Sequence, residues 1–211
     1  MAEDGDPPKS EAAGVGPGPG GAAAGQDPDV QLMLAFRGGD PRAFDALFRR
    51  WAGPMLRYLE RMVRDAASAE DLLQETFLRV FRARDRYQPE ARFSTWLYTI
   101  ATNLALNELR RPRRRALHRS TDEGESDELP LVLEGHEPRA DDLADARRTS
   151  AELERELAAL PERQRAALVL SAVEGLSYAE VAVSLETTEK SVKALVHRAR
   201  ATLAAKFKGR E

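Results

Sequence analysis

One stretch of this 211-residue chain combines three kinds of side chain that can hold nucleic acid. It opens with aromatic residues, continues as an apolar-periodic run with two asparagines, and ends in five arginines split by Pro112. Aromatic rings stack on unpaired bases, amides hydrogen-bond base edges and guanidinium groups bind phosphates, so this order predicts a surface for unpaired nucleic acid. Its members are Phe93, Trp96, Tyr98, Asn103, Asn107, Arg110, Arg111, Arg113, Arg114 and Arg115.

Two of these aromatics also have a purely structural interpretation. Trp96 and Tyr98 follow the spacing of a helix that packs over the preceding helices, and the pattern leaves open which of them faces nucleic acid. The arginines are harder to assign to packing, because they are clustered and no acid follows Glu108 nearby. We therefore expect them to contact phosphates.

Charge is segregated along the chain more sharply than the net value of −3 suggests. Residues 30–120 hold eighteen arginines against ten acids, a balance of +8, and residues 147–211 hold twelve cations against nine acids, a balance of +3. Residues 1–29 and 121–146 are acidic, at −5 and −9. Two basic bodies joined by an acidic segment are typical of a nucleic-acid-binding protein. Ordinary solvated helix faces explain the +3 body but fit the +8 body poorly.

The composition restricts the fold and the chemistry. The chain is rich in Ala, Leu, Glu and Arg and poor in β-branched residues, which predicts an all-α fold. It has no cysteine, and His118 and His136 are isolated, so we expect no metal site and no cofactor. No phosphate-cradling glycine loop or nucleophile–base pair is visible, so we expect no catalytic residue and no enzymatic activity. Without a signal peptide or a long apolar run, we expect a cytoplasmic protein without membrane insertion.

The elements that position the stretch begin after a tail. Residues 1–28 hold seven Gly, five Pro and six Ala, which predicts disorder. Asp29 is expected to cap a short helix that ends at Gly38, and Asp40 with Pro41 to start a second helix. The apolar residues of that second helix are expected to be core: Phe44, Leu47, Phe48, Trp51, Met55, Leu59 and Met62.

A third helix is expected to open at a capping box that begins with Ser68. Leu72, Leu73, Phe77, Val80 and Phe81 are expected to face inward, whereas Asp71, Gln74, Glu75, Arg79 and Arg82 face outward. The helix dipole alone explains acids in the first two turns. Ser94 is expected to cap the helix that carries the nucleic-acid stretch, and Pro112 to end it.

The remaining chain is interpreted as an acidic linker, residues 116–148, and a second helical body, residues 149–211. Ser177 and Glu180 form a capping box that opens a short helix. A turn at Glu186 and a longer cationic helix follow, which together predict a helix-turn-helix at about residues 178–197. The N-terminal half of the longer helix is where major-groove readers lie.

Together these segments resemble an RNA polymerase sigma factor of the extracytoplasmic-function (ECF) subfamily. The segment AEDLLQETFLRVFRARDRY resembles the core-polymerase-binding helix of sigma domain two, and FSTWLYTIATNLALNELRR resembles its promoter-melting and −10-reading segment. The segment LPERQRAALVLSAVEGLSYAEVAVSLETTEKSVKALVHRARATL resembles sigma domain four, which reads the −35 element. The resemblance covers about residues 29–115 and 149–208. It implies core RNA polymerase (the β′ clamp helices and the β subunit), promoter DNA and an anti-sigma factor as partners.

The resemblance also implies a role for each matching position. Polymerase binding falls on Asp71, Leu72, Gln74, Glu75, Phe77 and Leu78. Recognition and melting of the −10 element fall on Phe93, Trp96, Tyr98, Asn103, Asn107, Arg110 and Arg111. Reading of the −35 element falls on Lys190, Ser191, Lys193, Ala194, His197, Arg198 and Arg200.

The chain departs from the family pattern in the helix-turn-helix. The family usually has glycine where this chain has Glu186, so we expect the turn to be built differently. Lys190-Ser191-Val192 replaces a common Gly-Thr-Val, and Ala194 replaces a commonly polar residue, which removes one base contact. The competing hypothesis is a stand-alone helix-turn-helix regulator with a ligand-sensing N-terminal body. The aromatic, amide and arginine stretch argues against it, because a sensor body does not require that order.

Overall fold

The computed structural model describes residues 27–118 and 152–208, with side chains described up to residue 111 in the first range. Every regular element in these ranges is a helix, as the composition predicts. The predictions for the N-terminal tail and for most of the acidic linker fall outside the described residues. The helices are α1 Pro28–Arg37, α2 Pro41–Val63, α3 Ala66–Ala83, α4 Phe93–His118, α5 Glu162–Ala172, α6 Tyr178–Ser184 and α7 Glu189–Lys208. Residues 152–158 are also helical.

Asp27 joins the starts of two helices that are distant in the chain. Its Oδ1 accepts the Asp29 backbone N–H at 2.9 Å and so caps α1, while its Oδ2 accepts the Phe93 N–H at 3.1 Å in the first turn of α4. The prediction that Asp29 caps α1 and the prediction that Ser94 caps α4 are therefore both wrong. One carboxylate at two positive helix ends satisfies donors of both.

Asp29 instead lies inside the first body. It is buried, accepts a hydrogen bond from Trp51 Nε1 at 3.1 Å and forms an ion pair with Arg50 at 3.0 Å. Burial raises the pKa of Asp29, and the Arg50 charge and the Trp51 hydrogen bond act against that shift. The residue thus fixes α1 against α2, because a buried carboxylate is tolerated where donors surround it.

The other helix ends follow local rules, with two corrections. Asp40 caps α2 as predicted, accepting the Arg42 N–H at 2.9 Å. The start of α3 was predicted wrongly, since Asp65 is the cap and accepts the Ser68 N–H at 2.7 Å. Pro112 does not end α4, which continues to His118. A proline removes one hydrogen bond and kinks a helix without necessarily ending it, and Pro54 likewise lies inside α2.

The second body is a helix-turn-helix on a supporting helix, as predicted. Ser177 and Glu180 form both bonds of the capping box at the start of α6. Arg163 Nη2 donates to the Leu185 carbonyl at 2.7 Å and ties α5 to the turn. Thr188 Oγ1 accepts the Ser191 N–H at 3.2 Å and so caps the start of α7.

The two bodies are packed against each other. The N-terminal half of α4 lies along α6, and α5 contacts α2 and α4. Arg61 of α2 reaches Glu154 at 2.9 Å, an ion pair that crosses between the bodies. The helix that carries the predicted nucleic-acid stretch is therefore the helix against which the second body docks.

Candidate nucleic-acid interface

A stripe of polar side chains runs along the N-terminal half of α4. Thr95, Thr99, Asn103 and Asn107 follow one another at four-residue steps, so they lie on one side of the helix. We call Thr95, Tyr98, Thr99, Asn103 and Asn107 the α4 face. Hydroxyl and amide groups at this spacing present hydrogen-bonding positions of the kind that read the edges of unpaired bases.

The second body covers most of the α4 face and forms a series of hydrogen bonds along it. Thr95 Oγ1 donates to Glu180 Oε1 at 2.9 Å, and Thr99 Oγ1 donates to Ser184 Oγ at 3.2 Å. Asn103 Nδ2 donates to Glu186 Oε1 at 3.0 Å. Because both sets of numbers increase together, α6 runs alongside α4 in the same direction. Only the C-terminal part of the face, at Asn107, is left exposed.

Tyr98 is held at the edge of this contact by a carboxylate from the second body. Its hydroxyl donates a short hydrogen bond to Glu174, and Arg61 Nη1 lies 3.8 Å from the other oxygen of that carboxylate. Burial and the hydrogen bond to Glu174 raise the pKa of Tyr98 well above its ordinary value. The phenol is therefore neutral and acts as the donor in this state.

The aromatics of the stretch divide into two groups by burial. Phe93 and Tyr98 are buried, with the Tyr98 ring edge-on to Tyr58 at 5.2 Å and to Trp51 at 6.1 Å. Trp96 is only partly buried, lying against Tyr87 at 4.9 Å and Phe93 at 5.8 Å. The choice that the sequence leaves open is thus resolved for this conformation, because Tyr98 packs and Trp96 keeps an accessible side.

The arginine end of the stretch is only partly described. Arg110 and Arg111 are exposed, and Arg111 Nη1 donates to Glu108 Oε2 at 3.2 Å. The sequence pattern places Glu108 as the last nearby acid, and the structure pairs it with Arg111 one turn on. The side chains of Arg113, Arg114 and Arg115 lie outside the described residues.

Among the acids that cover α4, Glu180 is held by hydrogen bonds from both bodies and lies near one cation. Burial raises the pKa of Glu180, but hydrogen bonds from Ser177 and Thr95 and the charge of Arg92, 4.0 Å away, outweigh burial and leave the pKa below its ordinary value. The carboxylate is therefore ionised at neutral pH. It serves at once as the capping-box acid of α6 and as an acceptor for α4.

The turn of the helix-turn-helix has a common backbone conformation, but Glu186 occupies the position where glycine is usual. Glu186 has φ of 48°, in the left-handed region, and the Thr187 N–H donates to the Ala182 carbonyl at 2.9 Å. This is the left-handed C-cap that glycine usually supplies, so the prediction of a differently built turn is wrong. A side chain at this φ costs roughly 1–2 kcal/mol relative to glycine.

A second charged stripe lies on α7. Lys190, Lys193, Ala194, His197, Arg198 and Arg200 are exposed, while Val192, Val196 and Ala199 are buried beneath them. Ser191 is only partly exposed, and its hydroxyl lies 3.0 Å from Thr188 Oγ1 at the helix cap. The Arg198 Nε–H donates to the Ala194 carbonyl at 3.2 Å. The structure therefore presents six of the seven predicted −35 residues to solvent.

The outward side of α3 is a separate surface of acids beside exposed apolar side chains. We call Asp71, Gln74, Glu75, Leu78 and Phe81 the α3 face. Leu78 is 41% exposed and Phe81 44% exposed, next to Phe48 of α2 at 42%. The inward assignments of Phe48 and Phe81 are therefore wrong. Glu75 pairs with Arg79 at 2.9 Å within the helix.

Two predicted polymerase contacts belong to the core instead of the surface. Leu72 and Phe77 are 8% and 4% exposed. Phe77 lies 4.8 Å from Phe48 and 6.4 Å from Phe44, so it supports the exposed ring of Phe48 from below. Large apolar side chains exposed together mark interaction sites more often than isolated ones do.

Other chemistry has no visible site in the described ranges. Within them, no group of three or more His, Cys, Asp or Glu side chains could hold a metal ion. None of the helices described there is long and apolar enough to span a membrane.

Family models match both bodies in chain order. The model described as Sigma-70 region 2 matches residues 47–115, and the model described as Sigma-70, region 4 matches residues 150–203. A chain with these two regions in this order has the organisation of a sigma factor, which confirms the fold and domain types that the sequence predicts.

Curated relatives define the subfamily. The chain is 34% identical over 180 residues to the RNA polymerase sigma-H factor of Pseudomonas aeruginosa, covering 83% of this chain and 91% of that protein. It is 37% identical over 166 residues to the sigma factor CarQ of Myxococcus xanthus (79% and 90%) and 34% identical over 176 residues to the ECF sigma factor SigM of Mycobacterium tuberculosis (83% and 83%). The chain therefore belongs to the ECF subfamily of the sigma-70 family, and the stand-alone regulator is not favoured.

Solved structures agree on the fold. The structure of CnrH in complex with the cytosolic domain of CnrY has a TM-score of 0.63 at 24% identity, covering 88% of this chain and all of that one (100%). The sigma factor RpoE of Bartonella quintana, in complex with the anti-sigma factor NepR, also has a TM-score of 0.63, at 23% identity over 80% of this chain and 98% of that one.

The sequence did not predict that acids of the second body would contact α4. Glu174, Glu180 and Glu186 are unremarkable in a charged chain, and only the docking of the bodies brings them to the α4 face. One local signal was available, because a glutamate where a glycine is expected is conformationally costly. The left-handed backbone at Glu186 gives that signal a physical meaning.

Proposed function

We propose that this sigma factor binds core RNA polymerase through the α3 face and directs promoter-specific initiation through α4 and α7. The observation that carries the proposal is the separation of three surfaces on one chain. An acidic and apolar face lies on α3, a polar face on α4 and a cationic stripe on α7, and each fits a different partner.

On the α3 face, Asp71, Gln74 and Glu75 provide polar contacts for basic groups of the β′ clamp helices. Leu78 and Phe81 supply the apolar centre that a stable interface needs. Leu72 and Phe77 act from beneath, by holding the helix and the Phe48 ring in place. The β subunit is the expected neighbour of the second body in the assembled enzyme.

On α4, Asn103, Asn107 and Trp96 are the groups suited to holding −10 bases, with Arg110 and Arg111 on the flanking phosphates. Stacking contributes about 1–3 kcal/mol per base, which offsets one or two flipped bases but not a full bubble. The polymerase must therefore hold the rest of the melted DNA. Asn103 and Tyr98 take part only after the second body has moved, and Phe93 supports the face from within the first body, packed against Trp51 and Trp96.

On α7, the exposed stripe from Lys190 to Arg200 fits the major groove of the −35 element. Ala194 contributes only apolar contact, so direct reading rests on Lys193, His197 and Arg198. The domain boundaries follow the same division, with sigma domain two at residues 29–115, the linker at residues 116–148 and sigma domain four at residues 149–211. The tail of residues 1–28 has no assigned role.

The protein is expected to act in the cytoplasm without enzymatic activity of its own and without a cofactor. An anti-sigma factor is a further expected partner, since the sigma factor RpoE, which has a similar fold, was solved in complex with the anti-sigma factor NepR. Within this proposal, regulation acts by controlling access to the α3 and α4 faces.

Reconstitution tests the proposal. Core RNA polymerase is mixed with the purified chain and with genomic DNA of the source organism, and the 5′ ends of the transcripts are sequenced. We expect starts at a set of promoters that share −35 and −10 elements, absent with core polymerase alone. A chain that neither joins the polymerase nor starts transcription at any promoter would remove the proposed function.

A further inference from the structure

The cationic helix α7 begins with an acid that faces DNA in the proposed function. Residues 187–210 hold seven cations against a single acid, Glu189, and that acid is the first residue of α7. It is exposed, on the half of the helix that the proposed function places in the major groove. The phosphates on both sides of that groove repel a carboxylate. Glu189 therefore weakens DNA binding unless a base edge offers it a hydrogen-bond donor.

Lys193 lies one turn farther along α7 and forms an ion pair with this acid. Its Nζ is 3.5 Å from Glu189 Oε1, and the two side chains are 62% and 52% exposed. Residues four apart lie on the same side of a helix, and the buried stripe of α7 is formed by other residues, Val192 and Val196. The helix thus presents an acceptor and a donor side by side, in a fixed order along its axis.

We propose that Glu189 and Lys193 read one base pair of the −35 element together, and that this is a C·G pair with its cytosine on the Glu189 side. The inference rests on the proposed function of α7 and deepens it by naming a further residue that selects sequence. Glu189 is not among the positions that the family resemblance assigns to the −35 element. Its base pair follows from the chemistry of the two side chains.

The major-groove edge of a C·G pair presents a donor and an acceptor that complement this ion pair. Cytosine N4 is the donor and guanine O6 the acceptor, and the two atoms are hydrogen-bonded to each other at about 2.9 Å. That separation is close to the 3.5 Å between Glu189 Oε1 and Lys193 Nζ. With the carboxylate on N4 and the ammonium on O6, donors and acceptors alternate around the four groups. The ion pair is then kept when DNA binds.

The atoms beside N4 and O6 distinguish C·G from the other base pairs. Guanine N7 is a second acceptor next to O6, so it also attracts the ammonium of Lys193. In an A·T pair, adenine N7 lies next to the donor N6 and repels the carboxylate, and the thymine methyl lies next to the acceptor O4. Reversing either base pair places an acceptor opposite Glu189. Only a C·G pair in one orientation therefore satisfies both side chains.

Local structure holds the acid in position. Thr188 Oγ1 accepts the Ser191 N–H at 3.2 Å and caps the first turn of α7. The ion pair with Lys193 restrains the Glu189 side chain, which lowers the entropy lost when it binds a base. The positive end of the helix dipole also favours an acid here, and that is the purely structural explanation of Glu189. The two explanations are separable, because the dipole affects helix stability and not the choice of base.

Promoter selection with the assembled enzyme tests the inference. Core RNA polymerase reconstituted with the full chain transcribes a promoter library whose −35 region is randomised, with the −10 element of a promoter found by the reconstitution above. Barcoded transcripts are counted for the wild type, Glu189→Ala, Lys193→Ala and the double variant. The control is Glu156→Ala, which removes another acid paired with a lysine of α7, Lys206 at 4.0 Å, outside the reading half of that helix.

We expect the wild type to prefer a C·G pair at one −35 position by about tenfold or more. Each single alanine variant should lose that preference at the same position and keep the preferences at the others. The fold-loss in the double variant should be smaller than the product of the two single losses, because the two side chains act on one base pair. The control should match the wild type at every position.

A change in transcription that is equal for all −35 sequences in Glu189→Ala overturns the inference, because the acid would then act only through its charge or through helix stability. Losses at different positions in the two single variants overturn it as well. So does a shared position at which the wild type selects another base pair. If the wild type starts transcription at no promoter, the proposed function falls too, whereas wild-type preferences that Glu189→Ala leaves intact remove this inference alone.

Discussion

The α3 face and the α4 face lie on neighbouring helices of one body but differ in access. The α3 face is open, with Leu78 and Phe81 more than two-fifths exposed beside uncovered acids. The α4 face is covered, with Thr95, Tyr98 and Asn103 hydrogen-bonded to the second body. A partner can therefore reach the first surface before the second body moves, whereas a partner for the second must wait.

This difference implies an order of events. Under the proposed function, polymerase would bind first on α3, and the α4 face would become available afterwards, when the second body contacts its own site on the enzyme or the promoter. A free sigma factor with both surfaces open would compete for DNA without polymerase. Under the proposed function, covering the α4 face keeps it from binding single-stranded DNA before polymerase is bound, while the α3 face and the α7 stripe stay exposed.

The largest expected effect comes from reversing charge on the open face. Asp71→Lys with Glu75→Lys should weaken binding to core polymerase by about 100-fold or more, because like charges juxtaposed at an interface cost several kcal/mol. Binding is measured by fluorescence anisotropy of the labelled chain. Circular dichroism should be unchanged, since the residues point outward and the Glu75–Arg79 pair contributes only about 0.3–0.5 kcal/mol.

The matched control for this variant is Asp85→Lys with Glu90→Lys, which makes the same charge change at exposed positions off the α3 face. We expect its polymerase affinity to stay within about threefold of the wild type, as rim or distant charges act weakly through solvent. Equal polymerase affinities for the two double variants would place the docking surface elsewhere and would contradict the role given to the α3 face.

A smaller effect is expected on α7, which is exposed like the α3 face and should need no opening. Arg198→Ala should weaken −35-dependent transcription by about 1–3 kcal/mol and relax the preference at one base pair. The assay is multiple-round transcription from promoters with each −35 position varied in turn. An unchanged preference across that set would remove Arg198 as a reader.

Removing a buried hydroxyl in the first body should lower the stability of the fold by a comparable amount. The hydroxyls of Tyr58 in α2 and Thr102 in α4 lie 2.6 Å apart, and both residues are fully buried. Tyr58→Phe leaves the threonine without that partner, so the free energy of unfolding should fall by about 1–2 kcal/mol in urea denaturation. Tyr178→Phe, at a partly exposed position of α6, should change it by less than about 0.5 kcal/mol. Equal losses would contradict the burial difference.

The smallest effect is the pH dependence of closure. The pKa of Glu180 is lowered, so its contribution is complete above its ordinary value of 4.5 and is lost as pH falls below that value, through the lowered pKa. The pKa of Tyr98 is raised, so its contribution is complete below its ordinary value of 10.0 and is lost as pH rises above it.

Distances between spin labels at Ala35→Cys and Ala204→Cys, measured between about pH 4 and 11, should therefore show the largest closed population in the middle of that pH range. Tyr98→Phe should remove the alkaline limb and keep the acid limb. An alkaline limb that persists in that variant would assign the effect to another group.

Sequence signals predicted the fold correctly where a structural feature depends on residues within a single helix or turn. The Asp40 start of α2, the capping box at Ser177 and the helix-turn-helix are confirmed because caps and periodicity act within a few residues. The failures at Asp29, Ser94 and Ser68 share one cause. Several polar residues near a helix start can cap it, and tertiary contacts such as Asp27 to Phe93 select among them.

The sequence indicates which helices carry the candidate site residues, but not which of those residues are accessible. The residues of α4 and α7 that the resemblance assigns to DNA lie on single helices, so their spacing is visible in the sequence. Tyr98 is buried by the rings of Trp51 and Tyr58 and by Glu174, a residue 76 positions away, and no periodic pattern contains that information. Periodicity also predicts burial of Phe48 and Phe81, but the neighbouring rings of Phe36, Phe44 and Phe77 cover them only in part.

The most direct test of the account is the distance between labels at Ala35→Cys and Ala204→Cys in the wild-type background, measured before and after adding core RNA polymerase without DNA. The account predicts one narrow, short distance in the free chain and a longer one in the complex, because docking on α3 precedes uncovering of α4. A distance that is already long and broad in the free chain, or that stays short once polymerase is bound, would contradict it.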